Sequence, residues 1–258
     1  MELKRRFIFH GDAVAIGGRI ARPDDILIDP RCASALPVTG GRTTGSIKGM
    51  RFGRYVRFAS AATLAEGVFD NRRQVVALSH GKVRQEELAS TTTVRAELLG
   101  LHVGIGPELT VRRLRASFTA KSPAAADGET AIRLGADVAI DGVSIDGHRL
   151  TIELNKAPFQ KNDTHSSLRG TDGLVLIESR GIVHATIVRS IRWSGKPFPG
   201  ASIDGHLVTI PEFGRLYVGE LLISRDSRRL TMLRLELGSP FGGDVSGADV
   251  QDNGSWSP

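Results

Sequence analysis

A chain of 258 residues with 40% apolar and 24% charged side chains has the make-up of a globular protein large enough to bury its own core. Its single cysteine, Cys32, excludes a disulfide framework and any cysteine-clustered zinc or iron–sulfur site. The net charge of +6 is spread over short groups at 4–6, 72–73, 112–115 and 225–229, which favours solvated faces over one concentrated nucleic-acid or other polyanion surface.

The chain opens MELKRRFIFHGD, a basic start without an apolar core of the length a secretory signal needs. The longest aliphatic run, 174–177, is far too short to span a bilayer. A soluble, cytoplasmic protein with no membrane partner is expected. Strand signals follow at 6–9, 13–21 and 26–28, then at 55–58, 75–78, 92–103, 109–119 and 131–140. A second set lies at 149–154, 174–178, 182–193, 207–210, 216–224 and 229–237. These segments are rich in Val, Ile, Thr and Leu, and Gly, Pro, Asp or Asn separates them. Helical periodicity is confined to 83–89. Segments 30–49, 122–129 and 156–173 read as long loops, the natural places for a site on a β scaffold. After Pro240 the composition turns to Gly, Asp, Ser and Asn.

This cadence predicts an all-β fold: an antiparallel β-sandwich or flattened β-barrel with hairpin connections and at most one short helix, near 83–89. A single domain over 1–240, with room for two related lobes, and a frayed tail over 241–258 are expected. The run at 182–193 is apolar on both alternating sets, as in a strand buried on both faces. The terminal Trp256 could dock on its own fold or on a neighbouring copy.

The pentapeptide SIDGH occurs at 144–148 and again at 202–206. Asp-Gly between alternating apolar arms is a strong hairpin signal, so each copy reads as strand, turn, strand. Either duplication or convergence on a good turn explains the recurrence.

The candidate chemistry is sparse. Asp146 with His148 and Asp204 with His206 set a carboxylate near an imidazole, as acid/base chemistry or a divalent-metal site requires. The turn itself accounts for both aspartates, so no metal and no cofactor are expected. Cys32 follows Arg31, which would favour a thiolate, but a lone cysteine is more often a small buried hydrophobe. The segment 40–48 fails as a P-loop, although its amides with Arg42 and Lys48 could cradle an anion. Arg112, Arg113 and Arg115, and Arg228 with Arg229, could bind a polyanion if the fold brings them together.

The stretches GRIARPDD, IDGHLVTIPEFGRLYVGELL, RRLTMLRLELGSP and the ending NGSWSP resemble a set of uncharacterised bacterial proteins of similar length. That resemblance implies no activity and transfers no functional residue. The leading expectation is a non-enzymatic binding or self-assembling protein, with a homo-oligomer as the partner. The alternatives are an enzyme using His148 and His206 in a loop-lined cavity, and a polyanion binder.

Overall fold

A computed structural model describes residues 6–69, 89–104, 106–124, 128–169, 171 and 175–256. The predicted strand at 75–78 and residues 83–88 of the helix predicted at 83–89 lie outside them, and Ala89, its last residue, begins a strand instead.

Two antiparallel sheets stack as a sandwich and do not close into a barrel. One sheet is built on β5 (Gly41–Phe52), β6 (Val56–Phe69), β7 (Ala89–Gly104), β8 (Glu108–Pro123), β9 (Ala131–Leu134), β10 (Ala139–Ile145), β11 (His148–Leu154) and β14 (Val188–Trp193). The other holds β2 (Gly11–Ile20), β3 (Ile26–Ile28), β4 (Ala33–Ala35), β12 (Val175–Ser179), β13 (Ile182–Thr186), β15 (Ser202–Asp204), β16 (Leu207–Ile210), β17 (Gly214–Ile223), β18 (Arg228–Leu237) and β19 (Gly243–Asp252). The inner faces of the two sheets meet in one apolar core, where Leu98, Leu101 and Leu114 approach Gly247. No helix among the described residues is long and apolar enough to cross a membrane.

Several expectations are corrected. The loop expected at 30–49 contains β4 and the twelve-residue edge strand β5. Glycines and charges mask its period of two: Thr43, Gly45 and Ile47 alternate with the more exposed Arg42, Thr44, Ser46 and Lys48. The loop expected at 156–173 folds into two short helices, α1 (Pro158–Lys161) and α2 (His165–Arg169). The frayed tail is a sheet strand: β19 lies between β18 and β2, and its Val245, Ala248 and Val250 are fully buried. Small residues suit that central position because the opposite sheet passes close; a Cβ on Gly247 would lie 2.8 Å from Leu114 Cδ1. Beyond it, Trp256 docks in cis. The strand β20 (Ser255–Trp256) pairs with β1 (Phe7–Ile8), the Trp256 ring meets Phe7 edge-on, and its indole N–H reaches the Ser122 carbonyl at 3.3 Å.

The run at 182–193 is two strands in two sheets. Ile187, fully buried, is the crossing point. Its N–H bonds to Gly219 O (2.9 Å) in one sheet, and its C=O accepts from Asn155 N–H (2.8 Å) at the end of β11 in the other. Apolar residues on both alternating sets therefore mark a change of sheet.

Each sheet carries a transverse crease where the long central strands it crosses switch their inward face without losing register. In one sheet the row is 49–59–100–112–142, with positive φ at Gly49, Gly100 and Gly142 on alternate strands. On β7 the inward residues are Val94, Ala96 and Leu98 before Gly100 and Leu101 and Val103 after it. In the other sheet the row is 15–248–232–219, with positive φ at Gly219 and Ala248. One left-handed residue reverses the side-chain parity of a strand, as a bulge does, but matched residues on the neighbours keep the ladder aligned.

Candidate functional site

The two SIDGH copies form different turns. In the first, Ile145 pairs with His148 across a two-residue loop, Asp146-Gly147, with φ of 46° and 80°; positive φ at both positions is the signature of a type I′ turn. In the second, Asp204 pairs with Leu207, so the loop is Gly205-His206, and Gly205 alone has positive φ, at 54°. That is the type II′ pattern, with glycine at the first central position. The register has slipped by one residue, and the slip decides where each histidine goes.

His148 begins β11. Its Nδ1 lies 2.9 Å from the Lys196 carbonyl, and its ring packs against Trp193 and Phe198. Asp146 accepts the Glu108 N–H at 2.7 Å, and Asp204 is exposed. His206 instead sits in the turn on the other sheet, with His184 and Tyr217 as its ring neighbours. The structure therefore does not assemble His148, His206, Asp146 and Asp204 into one site.

What it assembles is His184, His206 and Glu220, on the outer face of the larger sheet. Strand β17 has two neighbours along one edge, β16 against 214–217 and β13 against 220–223. They abut where Ile187 leaves for the other sheet. At this junction Val218 N–H holds the His206 carbonyl (3.1 Å), β13 supplies His184, and β17 turns Glu220 outward just past the crease at Gly219. Glu220 Oε1 lies 3.4 Å from His184 Nε2 and 3.8 Å from His206 Nε2, and the three ligand atoms lie within 4.8 Å of one another. Glu220 is only 7% exposed, and both Nε2 atoms are buried without a hydrogen-bond partner.

A buried carboxylate on a sheet surface needs compensation. Arg234 supplies it as a fork, Nε to Oε2 at 2.7 Å and Nη2 to Oε1 at 2.9 Å. Burial works against the Glu220 charge, but Arg234 and the two imidazoles outweigh it and hold the carboxyl well below the usual range. The Arg234 guanidinium is stacked 3.8 Å from the Tyr217 ring centre and shares its charge with Glu236 (2.5 Å). Its neighbour Arg229 is taken by Asp249, bidentate through Nε and Nη2. Glu220 thus faces the imidazoles as an anion fixed in orientation.

His184 and Glu220 were not singled out from the sequence. The signal was present: each is a lone ionisable residue inside an aliphatic strand, IVHATIV and VGELLIS. Cys32, by contrast, is buried, with burial raising its thiol and Thr63 Oγ1 4.0 Å away.

Of the residues expected to bind anions, Arg42, Lys48, Arg113 and Arg115 share the outer face of the smaller sheet. Arg113 and Arg115 are neutralised there by Glu97, and Arg115 also by Asp137. Arg112 is exposed beside the crease at Gly142. Arg228 and Arg229 are on the other sheet and do not join this face. Arg228 is buried against Asp252, and Arg229 is held by Asp249.

No curated protein and no solved structure matches the chain. One family model matches it twice, over residues 7–172 and 165–224, and is described as a domain of unknown function, DUF8256. The chain belongs to the DUF8256 family of domains of unknown function.

Proposed function

We propose that this protein is a binding β-sandwich whose ligand is a divalent transition-metal ion, held by His184 Nε2, His206 Nε2 and Glu220 Oε1. One observation carries the reading: two buried imidazole nitrogens without partners converge on the same carboxylate oxygen. At 3.4 and 3.8 Å they stand too far for good hydrogen bonds to it. Ligands at zinc distances of about 2.0–2.2 Å in a tetrahedral site lie roughly 3.4 Å apart, the spacing already present between His184 and Glu220, and the two imidazole nitrogens, within 4.8 Å of each other, close toward that spacing when an ion bridges all three. Two imidazoles and a carboxylate suit zinc and its neighbours better than calcium or magnesium. Arg234 plays the outer-shell part, orienting the carboxylate while leaving Oε1 a free lone pair.

Equilibrium dialysis against zinc tests the proposal. One ion per chain is expected, with binding weakened at least tenfold in His184→Ala and in His206→Ala and unchanged in His148→Ala. Equal binding by all four proteins would refute it. Self-association is the second reading, favoured by the free edge strand β12 and by exposed Ile177 (61%), Ile182 (47%) and Leu222 on the adjoining face. Light scattering on Ile177→Lys, compared with the parent, decides it: a parent that is monomeric throughout the micromolar range rules it out.

A further inference from the structure

The β5–β6 hairpin presents three arginines in seven residues, Arg51, Arg54 and Arg57, around a small polar pocket of about 130 Å³ completed by Tyr55, His102 and Glu108. Arg51 and Arg57 are directly opposite partners on the two strands, and Arg54 lies in the turn between them. Like charges in that relation repel. No carboxylate among the described residues forms an ion pair with any of the three, whereas Arg113, Arg115, Arg229 and Arg234 rest directly on acids.

Acids reach two of the three only through a ring. Glu108 Oε1 is 2.8 Å from His102 Nδ1, and Arg57 Nη2 lies 3.2 Å from His102 Nε2 and 3.4 Å from Nδ1, over the face of the imidazole. Tyr55 Oη donates to Asp24 Oδ2 at 2.6 Å and accepts from Arg54 Nη2 at 3.0 Å. Both guanidinium groups are thereby oriented while their positive charge is not cancelled by contact. Preorganised donors with uncompensated charge are the construction of an anion site.

We propose that this pocket binds a phosphoryl group, as free phosphate or as a phosphate monoester. Three guanidinium forks match a tetrahedral dianion with several acceptor oxygens better than a planar monoanionic carboxylate. Arg57 and Arg51 would contact the anion, and His102 would be a positioning residue acting through Arg57. The site is separate from the His184–His206–Glu220 centre and stands or falls independently of it.

Calorimetric titration of EDTA-treated protein with inorganic phosphate, glycerol 3-phosphate and acetate tests the proposal. Saturable 1:1 binding of a phosphate species is expected, with the tighter of the two showing whether the ion or an ester is preferred. Arg57→Gln should weaken it at least tenfold, the loss of one charge-assisted contact. Arg149→Gln, on the same face outside the pocket, should not. His102→Ala should weaken binding, and His102→Phe, which keeps a flat ring against the Arg57 guanidinium, should restore part of it. Without phosphate, Arg51→Gln should melt no lower than the parent because a repulsion is removed; phosphate should raise the Tm of the parent and not of Arg57→Gln. Absence of saturable binding, acetate binding as tight as phosphate, or equal losses in Arg149→Gln and Arg57→Gln would overturn the proposal.

Discussion

Gly100→Ala tests whether the crease depends on left-handed backbone. Gly100 has φ of 63°, and a Cβ built there lies 2.9 Å from Ala59 Cβ on the neighbouring strand. The left-handed conformation costs an L-residue about 1–2 kcal/mol, and relieving a methyl–methyl clash in a sheet costs about 1–3 kcal/mol more. The sum, roughly 2–5 kcal/mol, corresponds to a fall of roughly 5–15 °C in Tm for a chain of this size. Adding Ala59→Gly should return the clash part and leave the backbone part. Ala248→Gly is the opposing case. Ala248 has φ of 51° in the crease of the other sheet, so glycine relieves strain there. It also gives up a buried methyl worth about 0.8 kcal/mol and adds chain entropy of about 0.5–1 kcal/mol. A net change within about 1 kcal/mol is expected. Thermal melts followed by far-ultraviolet circular dichroism suffice. A Gly100→Ala protein melting within about 2 °C of the parent would refute the assignment of the crease to left-handed residues.

Two further outcomes follow from buried and capped charges. Arg228 and Asp252, 3% and 0% exposed at the side chain, face each other at 3.6 Å, and burial pushes the Arg228 guanidinium down and the Asp252 carboxyl up, so desolvation outweighs their attraction. Arg228→Met should cost about 3–5 kcal/mol in urea unfolding because it strands Asp252, and adding Asp252→Leu should recover most of that loss; additive losses would contradict it. For Glu129, burial opposes the charge, but the hydroxyl and N–H of Ser166, at the start of α2, outweigh it and lower the carboxyl. Its stabilisation is therefore present above the unfolded value near 4.5 and lost as pH falls through the lower folded value. Glu129→Gln should flatten that part of the acid unfolding profile, and an unchanged profile would exclude the contribution.

The sandwich was legible because period-two alternation and Asp-Gly turns are local signals. Strands β8, β11, β17 and β18 stand close to where the pattern of the chain puts them, whereas the strand expected at 131–140 is broken by a turn at 136–137 into β9 and the start of β10. Reading failed where the signal is not local. The edge strand β5 alternates glycine, threonine and one isoleucine with charged and hydroxyl residues instead of a clear apolar set with polar, and β19 is small and polar because a facing sheet leaves it no room. The crossing at Ile187 looked like one strand because both sheets demand apolar residues. The site was half visible. His206 stood out as part of a repeated word, yet its role depends on a one-residue slip that the pentapeptide does not encode. The slip follows from pairing with β17. His184 and Glu220 carry no spacing motif, since two separate strands, β13 and β17, and the turn at 205–206 bring the three residues together.

The most direct measurement is a crystal of the zinc-soaked protein, with anomalous differences collected at the zinc absorption edge. One peak is expected about 2.0–2.2 Å from His184 Nε2, His206 Nε2 and Glu220 Oε1. No peak there, with both imidazoles donating to the Glu220 carboxylate instead, would contradict the assignment of a metal centre to this fold.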